Sequence, residues 1–365
     1  MKPIIIFDNI IYSLQKVGGI SAFWSNLTRR VEDSGLFECH YVEYKNSTSN
    51  IFRQSLDIPS DKIISGKSLP LGVHRILEPY IPPHLTQKPF IFHSSYYRTF
   101  RHPRSRIVST FHDLTHEHGG DGNFITRPLM RSMHQNTLSR SSHVVCVSRH
   151  CQQDVKRVFP KFSDKSVSVA YNAPVINSNM SGVYASSEAQ SNQVTSKDYL
   201  LFIGARDDYK NFRFAVELAE LTNRTLVVAG VPFSKKEERW LKGIRAEIKL
   251  RPFPTTDELE ELYSGAHALI FMSEYEGFGI PLVEAQSYGC PVLALRRSAV
   301  PEVAGEGAVL FNDLNLNEAK SEIERLDDIV YRRSLIERGY NNAKRFDWNK
   351  TAEHYINIYK KLLGL

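Results

Sequence analysis

Two glutamates with seven residues between them, Glu276 and Glu284, have the residue type and spacing for chemistry. The segment that separates them begins with GFGIP, at positions 277–281. Proline suits the first turn of a helix, because its missing N–H is not needed there and its φ is already helical. Glu276 is therefore expected in a glycine-rich loop, and Glu284 about one turn into a helix. The bare N–H groups at a helix start attract anions such as a phosphate. Two carboxylates beside such an anion site can accept hydrogen bonds from hydroxyls, so the segment suits a polyol attached to a phosphate.

Two cations, Arg206 and Lys210, follow the apolar run Tyr199–Gly204, which is typical of a strand. Positive side chains beside a phosphate stabilise the negative charge that grows on it when a bond to it breaks. The plainer interpretation of the same pattern is a pair of surface basic residues after a strand.

Gly18 and Gly19 lie between the apolar run Ile4–Phe7 and a helical pattern. Glycines after a strand let the backbone approach a phosphate closely, so this turn is a candidate anion site. The full G-x-G-x-x-G pattern is absent, so the sequence carries no dinucleotide fingerprint. A plain tight turn is the alternative interpretation.

His112 and Asp113 follow the predicted strand Arg106–Phe111, at the position where open α/β sheets bind ligands. A capped strand end is the alternative. Together with His116 and His118, His112 suggests a metal site, but no acidic or cysteine cluster accompanies these histidines. We therefore expect no metal site.

Apolar runs that alternate with helical patterns predict the fold class. The alternation occurs twice, and the two series are separated by residues 175–198, which are rich in Ser and Asn and lack periodicity. Alternation of this kind favours parallel sheets covered by helices. The sequence therefore predicts two α/β domains joined by a linker. Residues 45–88 have no clear pattern.

The string that begins at Glu276 resembles the signature of a known family. EGFGIPLVEA, at positions 276–285, is followed by a glycine, by Pro-Val and then by Pro-Glu-Val. It is similar to the donor-site signature of retaining glycosyltransferases of the GT-B fold, family 4 (glycosyltransferase group 1), as in bacterial O-antigen and exopolysaccharide mannosyltransferases. The resemblance covers nearly the whole chain and is strongest over residues 199–311. It implies an α/β protein with two Rossmann-like parallel-sheet domains facing each other across a cleft.

The resemblance also implies the roles of individual residues. Glu284 would bind the ribose hydroxyls of a nucleoside-diphosphate sugar, and Glu276 would hold the hydroxyls of the donor sugar. His112, with Asp113 as its neighbour, would contact the donor sugar near the reacting centre. The predicted catalytic residues are His112, Glu276, Lys210 and Arg206. The other predicted donor-binding residues are Gly18, Gly19, Glu284, Gly277, Phe278, Gly279 and Phe253, the last at the strand end where the base would lie.

Two positions depart from the family pattern. The family often has an arginine directly before the lysine, and this chain has Tyr209 there, so the role is assigned to Arg206. Ala173 follows Asn172 where the family usually has a glycine.

The expected reaction moves a hexose from a nucleoside-diphosphate sugar to a hydroxyl, with retention of the anomeric configuration. The sequence contains no Asp-x-Asp, so we expect no metal and no other cofactor, with positive side chains in place of the metal. No isolated carboxylate is an evident nucleophile. This favours direct attack by the acceptor hydroxyl on C1 of the sugar, from the same face that the diphosphate leaves. GDP-mannose is the favoured donor, and a UDP- or dTDP-sugar is the alternative. The expected acceptor is a glycan or a lipid-linked glycan of a bacterial surface polysaccharide.

The predicted domains are 1–174 on the acceptor side, a linker at 175–198, a nucleotide-sugar-binding domain at 199–346, and a C-terminal helix at 347–365 that packs back on the first domain.

Charge is unevenly distributed along the chain: residues 1–180 hold 22 Lys and Arg against 13 Asp and Glu (+9), and the remainder holds 24 against 27 (−3). A basic first half suits an anionic acceptor or surface. The four scattered cysteines and the absence of a long apolar run favour a cytoplasmic location, with peripheral contact at the inner face of the membrane.

The segment from Tyr96 to Arg106 holds three aromatic residues, Tyr96, Tyr97 and Phe100, interleaved with the four arginines of Arg98–Arg106. Such a segment can grip anionic headgroups while its rings lie at the interface. A solvated basic loop and contact with nucleic acid are the alternatives, and we expect no nucleic-acid partner. The alternatives for the whole chain are a related sugar-nucleotide epimerase or phosphorylase, or a protein that binds a nucleotide sugar without catalysis.

Overall fold

The computed structural model describes residues 2–66, 74–118, 127–175 and 199–365. The chain divides into two compact units. The first comprises Met1–Asn172 together with Asp347–Leu365, and the second comprises Ala173–Phe346. Apart from Val175, the predicted linker at 175–198 lies outside the described residues.

Each unit contains one parallel sheet. In the described part of the chain, the first sheet has seven strands in the order β3-β2-β1-β4-β5-β6-β7, and the second has six in the order β10-β9-β8-β11-β12-β13. The strands are β1 (Ile4–Asp8), β2 (Glu38–Glu43), β3 (Ile63–Ser65), β4 (Phe90–Ser94), β5 (Ser105–Phe111), β6 (His143–Cys146), β7 (Val167–Val169), β8 (Tyr199–Ile203), β9 (Thr225–Gly230), β10 (Ile248–Pro252), β11 (Ala268–Phe271), β12 (Val292–Leu295) and β13 (Val309–Phe311). Strands β8, β11 and β12 are apolar throughout, because helices cover both faces of a parallel sheet.

Helices connect the strands. Over the described ranges they are α1 (Ile11–Leu14), α2 (Gly19–Asp33), α3 (Ile51–Gln54), α4 (Arg127–Arg140), α5 (Arg149–Val158), α6 (Phe212–Thr222), α7 (Lys235–Leu241), α8 (Thr256–Gly265), α9 (Ile280–Ser287), α10 (Val300–Ala304), α11 (Leu316–Arg325), α12 (Ile329–Ala343) and α13 (Trp348–Leu363). Short 3₁₀ helices lie at Ser47–Ser49, Ser60–Lys62, Pro83–Thr86, Pro160–Phe162, Asp208–Lys210 and Gly305–Gly307. None of the helices described has the length and hydropathy needed to cross a bilayer.

Helix α13, at the C-terminus, belongs to the first unit and packs beside α2 and β4. The hydroxyl of Tyr359 lies 2.6 Å from Nδ1 of His93, and the hydroxyl of Tyr355 lies 2.8 Å from Oγ1 of Thr110. Oγ1 of Thr110 also lies 2.9 Å from Nε2 of His93, which completes a buried chain of hydrogen bonds. Burial, assisted by repulsion from His112, lowers the pKa of His93 to about 3, so this imidazole is neutral.

Both sheets reverse their strand order next to their first strand. In the second unit the reversal lies between β8 and β11, and in the first it lies between β1 and β4. In open α/β sheets, ligands bind outside the carboxyl ends of the strands at such a reversal. The loops after β8 and β11 are therefore the first place to look for a site in the second unit.

The two parallel α/β units confirm the predicted fold class. Strand β3 was not predicted, because its three residues Ile63–Ser65 lie in a stretch of mixed composition. Helix α4 is described over Arg127–Arg140, and the residues directly before it lie outside the described range. Pro281 is the second residue of α9 rather than the first.

Candidate active site

Lys210 and Glu276 meet at the strand reversal of the second unit. Lys210 ends the short 3₁₀ helix after β8, and Glu276 lies in the loop after β11. Nζ of Lys210 donates a hydrogen bond of 3.1 Å to Oε1 of Glu276, and about one sixth of each side chain is exposed (17% and 15%). The two residues are 66 positions apart in the chain. The structure thus brings together two of the predicted catalytic residues where a doubly wound sheet binds its ligand.

The charge of Lys210 is stabilised by its surroundings. Burial of the ammonium lowers its pKa, but the attraction of Glu276 and of the neighbouring Tyr209 and Asp207 outweighs this effect, so the pKa lies above its usual value. Lys210 is therefore a permanent cation at neutral pH. A partly buried cation beside a carboxylate can hold a phosphate on one side and a sugar hydroxyl on the other.

The backbone of Glu276 is held from both sides by the loop after β12. Its N–H donates to Oγ of Ser298 at 2.8 Å, and its carbonyl accepts from the N–H of Ala299 at 3.4 Å. Ser298 has a φ of +48°, in the left-handed region that residues other than glycine rarely adopt. Strain of this kind persists where the surrounding structure requires it. Ser298 was not predicted from sequence, because nothing in its neighbourhood marks a serine that reaches back 22 residues.

Gly279 shapes the start of α9. Its φ is +90°, and a Cβ at this position would lie 2.9 Å from Cδ1 of Leu282, so only glycine fits without strain. Phe278 is buried and packs edge-on against Phe346, with 5.4 Å between the ring centroids. The turn through Gly277 therefore leads into the N-terminus of α9, and binding of an anion by the amides of this turn stays a prediction.

Glu284 lies in the second turn of α9 and is 8% exposed. Its Oε2 accepts a hydrogen bond of 2.8 Å from the hydroxyl of Tyr263, and its Oε1 accepts one of 3.3 Å from the N–H of Val175. Burial raises the pKa of this carboxyl, against the lowering effect of the hydrogen bonds from Tyr263 and Val175. Tyr263 was not predicted either, because it precedes Glu284 by 21 residues on a helix whose pattern indicates core packing.

The structure does not bring Arg206 together with Lys210 and Glu276. Its Nε donates to Oε1 of Glu237 at 2.5 Å, and its two terminal nitrogens donate to the carbonyls of Val231 and Pro232 at 2.9 Å each. The Arg206 side chain is 3% exposed, and its guanidinium lies 4.8 Å from the ring centroid of Phe233. The hydrogen bond from Arg206 lowers the pKa of Glu237 to about 2. Diphosphate binding by Arg206 stays a prediction, and it requires this pair to open.

Phe253, the residue predicted beside the base, directly follows β10. Its side chain is 50% exposed, and its φ of +48° places it in the left-handed region. Its N–H donates to the carbonyl of Gly230 at 3.1 Å, which ties the ends of β9 and β10 together. An exposed ring on a strained, hydrogen-bonded turn suits stacking on a planar ligand, and this role stays a prediction.

Gly18 and Gly19 lie at the N-terminus of α2 in the first unit, the 15-residue helix that begins at Gly19. The carbonyl of Gly18 accepts the first helical hydrogen bond, from the N–H of Ala22 at 3.0 Å. A Cβ on Gly18 would lie 2.4 Å from Oε1 of Gln15, whose Nε2 donates to Oγ of Ser21 at 3.0 Å. The glycine therefore lets Gln15 fold over the helix start, and the exposed Gly19 leaves the first turn open to an anion.

His112 follows β5 and is 9% exposed. Its ring meets Phe23 edge-on, with 4.9 Å between the centroids, and its buried Nε2 has no hydrogen-bond partner within the described residues. Burial lowers the pKa of His112 to about 4, despite the opposing effect of Asp113. A neutral imidazole with a buried, unsatisfied nitrogen is suited to hydrogen-bond a ligand. Asp113 caps the next turn by accepting from the N–H of Thr115 at 2.9 Å.

His118, one of the three histidines considered as metal ligands, pairs with a carboxylate instead. Nε2 of His118 lies 2.6 Å from Oδ2 of Asp154, and the other oxygen of that carboxylate, Oδ1, accepts from Arg157. Within the described ranges, no three side chains of His, Cys, Asp or Glu come together as metal ligands.

The predicted headgroup-binding segment Arg98–Arg106 is wrong at Arg98. This guanidinium is 4% exposed, and its NH1 donates to both carboxylate oxygens of Asp8 at 3.1 Å each. It also donates to the hydroxyl of Tyr44. Arg98 thus ties the ends of β1 and β4 together, because a buried carboxylate needs a paired cation, and it cannot reach a membrane. Arg101 and Arg104 are exposed.

Two family profiles match the chain in succession. The one described as "Glycosyltransferase Family 4" matches residues 17–173, and the one described as "Glycosyl transferases group 1" matches residues 184–342. O-antigen chain mannosyltransferase B of Escherichia coli is 26% identical over 291 residues, or 75% of each chain. The O-antigen chain mannosyltransferase RfbU of Salmonella typhimurium is 26% identical over 250 residues, or 67% of this chain and 66% of that one.

Solved structures show the same fold over the full length. Sucrose-phosphate synthase from Thermosynechococcus elongatus superposes with a TM-score of 0.73 and 17% identity, covering 100% of both chains. Anabaena HepE, solved with UDP-glucose, gives a TM-score of 0.69 and 14% identity, covering 98% of this chain and 99% of that one. The fold is GT-B, as predicted. The chain belongs to the group 1 glycosyltransferases of family 4, and it is a glycosyltransferase.

Proposed function

We propose that this enzyme transfers a hexose from a nucleoside-diphosphate sugar, with GDP-mannose as the favoured donor, to a hydroxyl of a glycan or lipid-linked acceptor. We propose further that it retains the anomeric configuration, needs no metal, and works in the synthesis of a bacterial surface polysaccharide. The observation that carries the proposal is the Lys210–Glu276 pair at the strand reversal of the second sheet. The O-antigen mannosyltransferase relatives support mannose and the pathway, and a solved neighbour with UDP-glucose supports a nucleotide-sugar donor.

Donor binding follows from the chemistry of the residues in the second unit. Lys210 would bind the diphosphate, together with the backbone amides at the start of α9. Glu276 would accept hydrogen bonds from the hydroxyls of the donor sugar, and Glu284 would accept them from the ribose. Since Lys210 and Glu276 are already in contact at 3.1 Å, their geometry is set before the donor arrives.

The proposed reaction breaks the bond between C1 of the sugar and the diphosphate oxygen. A new bond forms between C1 and the acceptor oxygen on the same face, and the acceptor proton moves to the departing phosphate. Lys210 would stabilise the charge that develops on that phosphate. The lowered pKa of His112 makes its imidazole a weak base, which supports the leaving phosphate as proton acceptor and leaves His112 to hydrogen-bond the sugar.

The first unit supports an amphiphilic acceptor. A cavity of about 750 Å³ lies between residues 74–80 and α4, with Leu77 and Leu129 on its rim and Arg75, Arg101 and Arg140 among its lining residues. Leu77 is 49% exposed and Leu129 is 46% exposed. Apolar and basic groups in one cavity suit a lipid-linked phosphate, and contact with an anionic membrane surface stays part of this proposal.

The proposal is tested by incubating the enzyme separately with GDP-mannose, UDP-glucose and dTDP-glucose. Each reaction contains a synthetic lipid-linked glycan and is run with and without EDTA. We expect release of one nucleoside diphosphate at a rate that EDTA does not change. We also expect a product whose one-bond C1–H1 coupling, measured by NMR, indicates the same anomeric configuration as in the donor. Release that needs a metal would contradict metal independence, and an inverted product would contradict retention. A sugar epimerised without nucleotide release would favour an epimerase, and nucleotide binding without turnover would favour a binding protein.

A further inference from the structure

Tyr263 lies between two elements of the donor site and is fully buried, at 0% exposure. It belongs to α8, whereas Glu284 belongs to the neighbouring helix α9. The Tyr263 hydroxyl donates to Oε2 of Glu284 at 2.8 Å. Its ring is stacked on that of Tyr288, with 5.9 Å between the centroids and 12° between the planes, so the ring has little freedom to turn its hydroxyl away.

Glu284 depends on neutral hydrogen-bond donors. Within the described residues its carboxylate has no ion-pair partner, and it accepts hydrogen bonds from the Tyr263 hydroxyl and from the N–H of Val175. The bond from Val175 is the longer of the two, at 3.3 Å. A carboxylate has about four acceptor positions, so roughly two remain for a ligand. Because burial favours the neutral acid, loss of the shorter hydrogen bond would leave Glu284 both less ionised and less fixed in orientation.

We propose that Tyr263 is a positioning residue for recognition of the donor's ribose, because its hydroxyl holds Oε2 of Glu284 and so fixes the orientation of the carboxylate that would bind the ribose diol. The inference rests on the proposed role of Glu284 in binding a nucleoside diphosphate. Tyr263 itself touches no substrate in this account. It makes the site selective for nucleotides that carry ribose hydroxyls, since an ionised, oriented carboxylate accepts two hydrogen bonds from adjacent hydroxyls.

Tyr263→Phe removes the hydroxyl and keeps the stacked ring. The probes are GDP or UDP, whichever the wild-type enzyme binds more tightly, and the 2′,3′-dideoxy analogue of the same nucleotide. By calorimetry we expect Tyr263→Phe to bind the ribonucleotide about tenfold more weakly, the typical effect of one hydrogen bond to a charged group. We expect the variant and the wild type to bind the dideoxy analogue equally. In turnover, KM for the donor should rise by a similar factor while kcat changes less than about twofold.

Tyr199→Phe is the matched control. The Tyr199 hydroxyl donates to the carbonyl of Leu262 at 2.7 Å, so this variant removes a hydroxyl bound to the same helix without touching Glu284. It should bind both nucleotides as the wild type does. In a Glu284→Ala background, Tyr263→Phe should have no further effect on ribonucleotide binding, which tests the coupling even if one single variant folds poorly.

Three results would overturn the inference: wild-type affinity of Tyr263→Phe for the ribonucleotide, an equal loss for the dideoxy analogue, or a full effect of Tyr263→Phe in the Glu284→Ala background. A wild-type enzyme that does not prefer the ribonucleotide to the dideoxy analogue would remove the role of Glu284 and this inference with it. An enzyme that shows the predicted binding pattern but transfers no sugar would leave the inference standing and contradict the proposed transfer.

Discussion

At the residue scale, the two cations after β8 have different partners. Nζ of Lys210 forms an ion pair with the partly exposed carboxylate of Glu276, and the Lys210 side chain is 17% exposed. Arg206 is 3% exposed and donates to Glu237 and to two backbone carbonyls of the loop after β9. Lys210 is therefore suited to bind a ligand, whereas Arg206 stabilises the loop around it.

This difference predicts opposite effects for two alanine variants. Lys210→Ala should lower kcat by about 10²–10³-fold, because it removes the cation on the leaving group, and should leave the melting temperature nearly unchanged. Arg206→Ala should lower the free energy of unfolding by about 2–4 kcal/mol, because Glu237 loses its paired cation and two backbone carbonyls lose the hydrogen bonds from Arg206. Thermal melting and nucleotide release, measured on both variants, check the prediction. An Arg206→Ala enzyme that melts like the wild type but is inactive would contradict the structural role and support diphosphate binding by Arg206.

A second residue-scale prediction concerns the pH dependence of stability. The pKa of His93 is lowered to about 3 in the folded protein, against about 6.5 in an unfolded chain. Between these values the unfolded state binds more protons, so the stability from His93 is fully present above about pH 6.5 and is lost as the pH falls. His93→Gln should therefore melt at a lower temperature than the wild type at pH 7, but should lose less of its melting temperature between pH 7 and pH 5.

The control is His84→Gln, because His84 is exposed on the same unit. It should keep the wild-type dependence on pH. An identical slope for His93→Gln and the wild type would show that His93 does not contribute to acid sensitivity.

At the scale of the elements, the turn at Gly279 sets the start of α9, whose amides we propose bind the donor. Gly279 combines a φ of +90° with a Cβ position 2.9 Å from Leu282. Gly279→Ala should cost about 1–3 kcal/mol of stability through backbone strain, and should raise the donor KM because the amides of Phe278 and Gly279 shift. Gly243→Ala is the control, because a Cβ there meets nothing closer than 3.7 Å. A donor KM that Gly279→Ala leaves unchanged would mean that this turn does not bind the donor.

The sequence predicted most elements of the core, because strands buried on both faces are continuous apolar runs such as Ile4–Asp8. It missed β3, whose pairing with β2 comes from tertiary packing rather than from local pattern. In the site, Glu276, Glu284 and Lys210 were evident from the local sequence around them. Tyr263 and Ser298 were not, because their contacts with Glu284 and Glu276 span 21 and 22 residues and no local signal marks them.

At the scale of the whole molecule, the chain consists of two parallel α/β units of different character. Residues 1–180 carry a balance of +9, and the rest a balance of −3. The first unit holds the cavity with arginines and exposed leucines, and the second holds the Lys210–Glu276 pair. This division favours an anionic acceptor for the first unit and donor binding in the second.

Glu276 is the residue on which the proposed donor site depends most, and nucleotide release by a matched pair of glutamate variants tests its role most directly. Glu274 is two residues away and is 45% exposed, so Glu274→Ala removes a similar charge outside the proposed site. With the nucleotide sugar that the wild type uses, Glu276→Ala should release nucleoside diphosphate at least about 100-fold more slowly, with an unchanged melting temperature, and Glu274→Ala should release it at nearly the wild-type rate. Near-normal release by Glu276→Ala would contradict the assignment of this loop as the donor site.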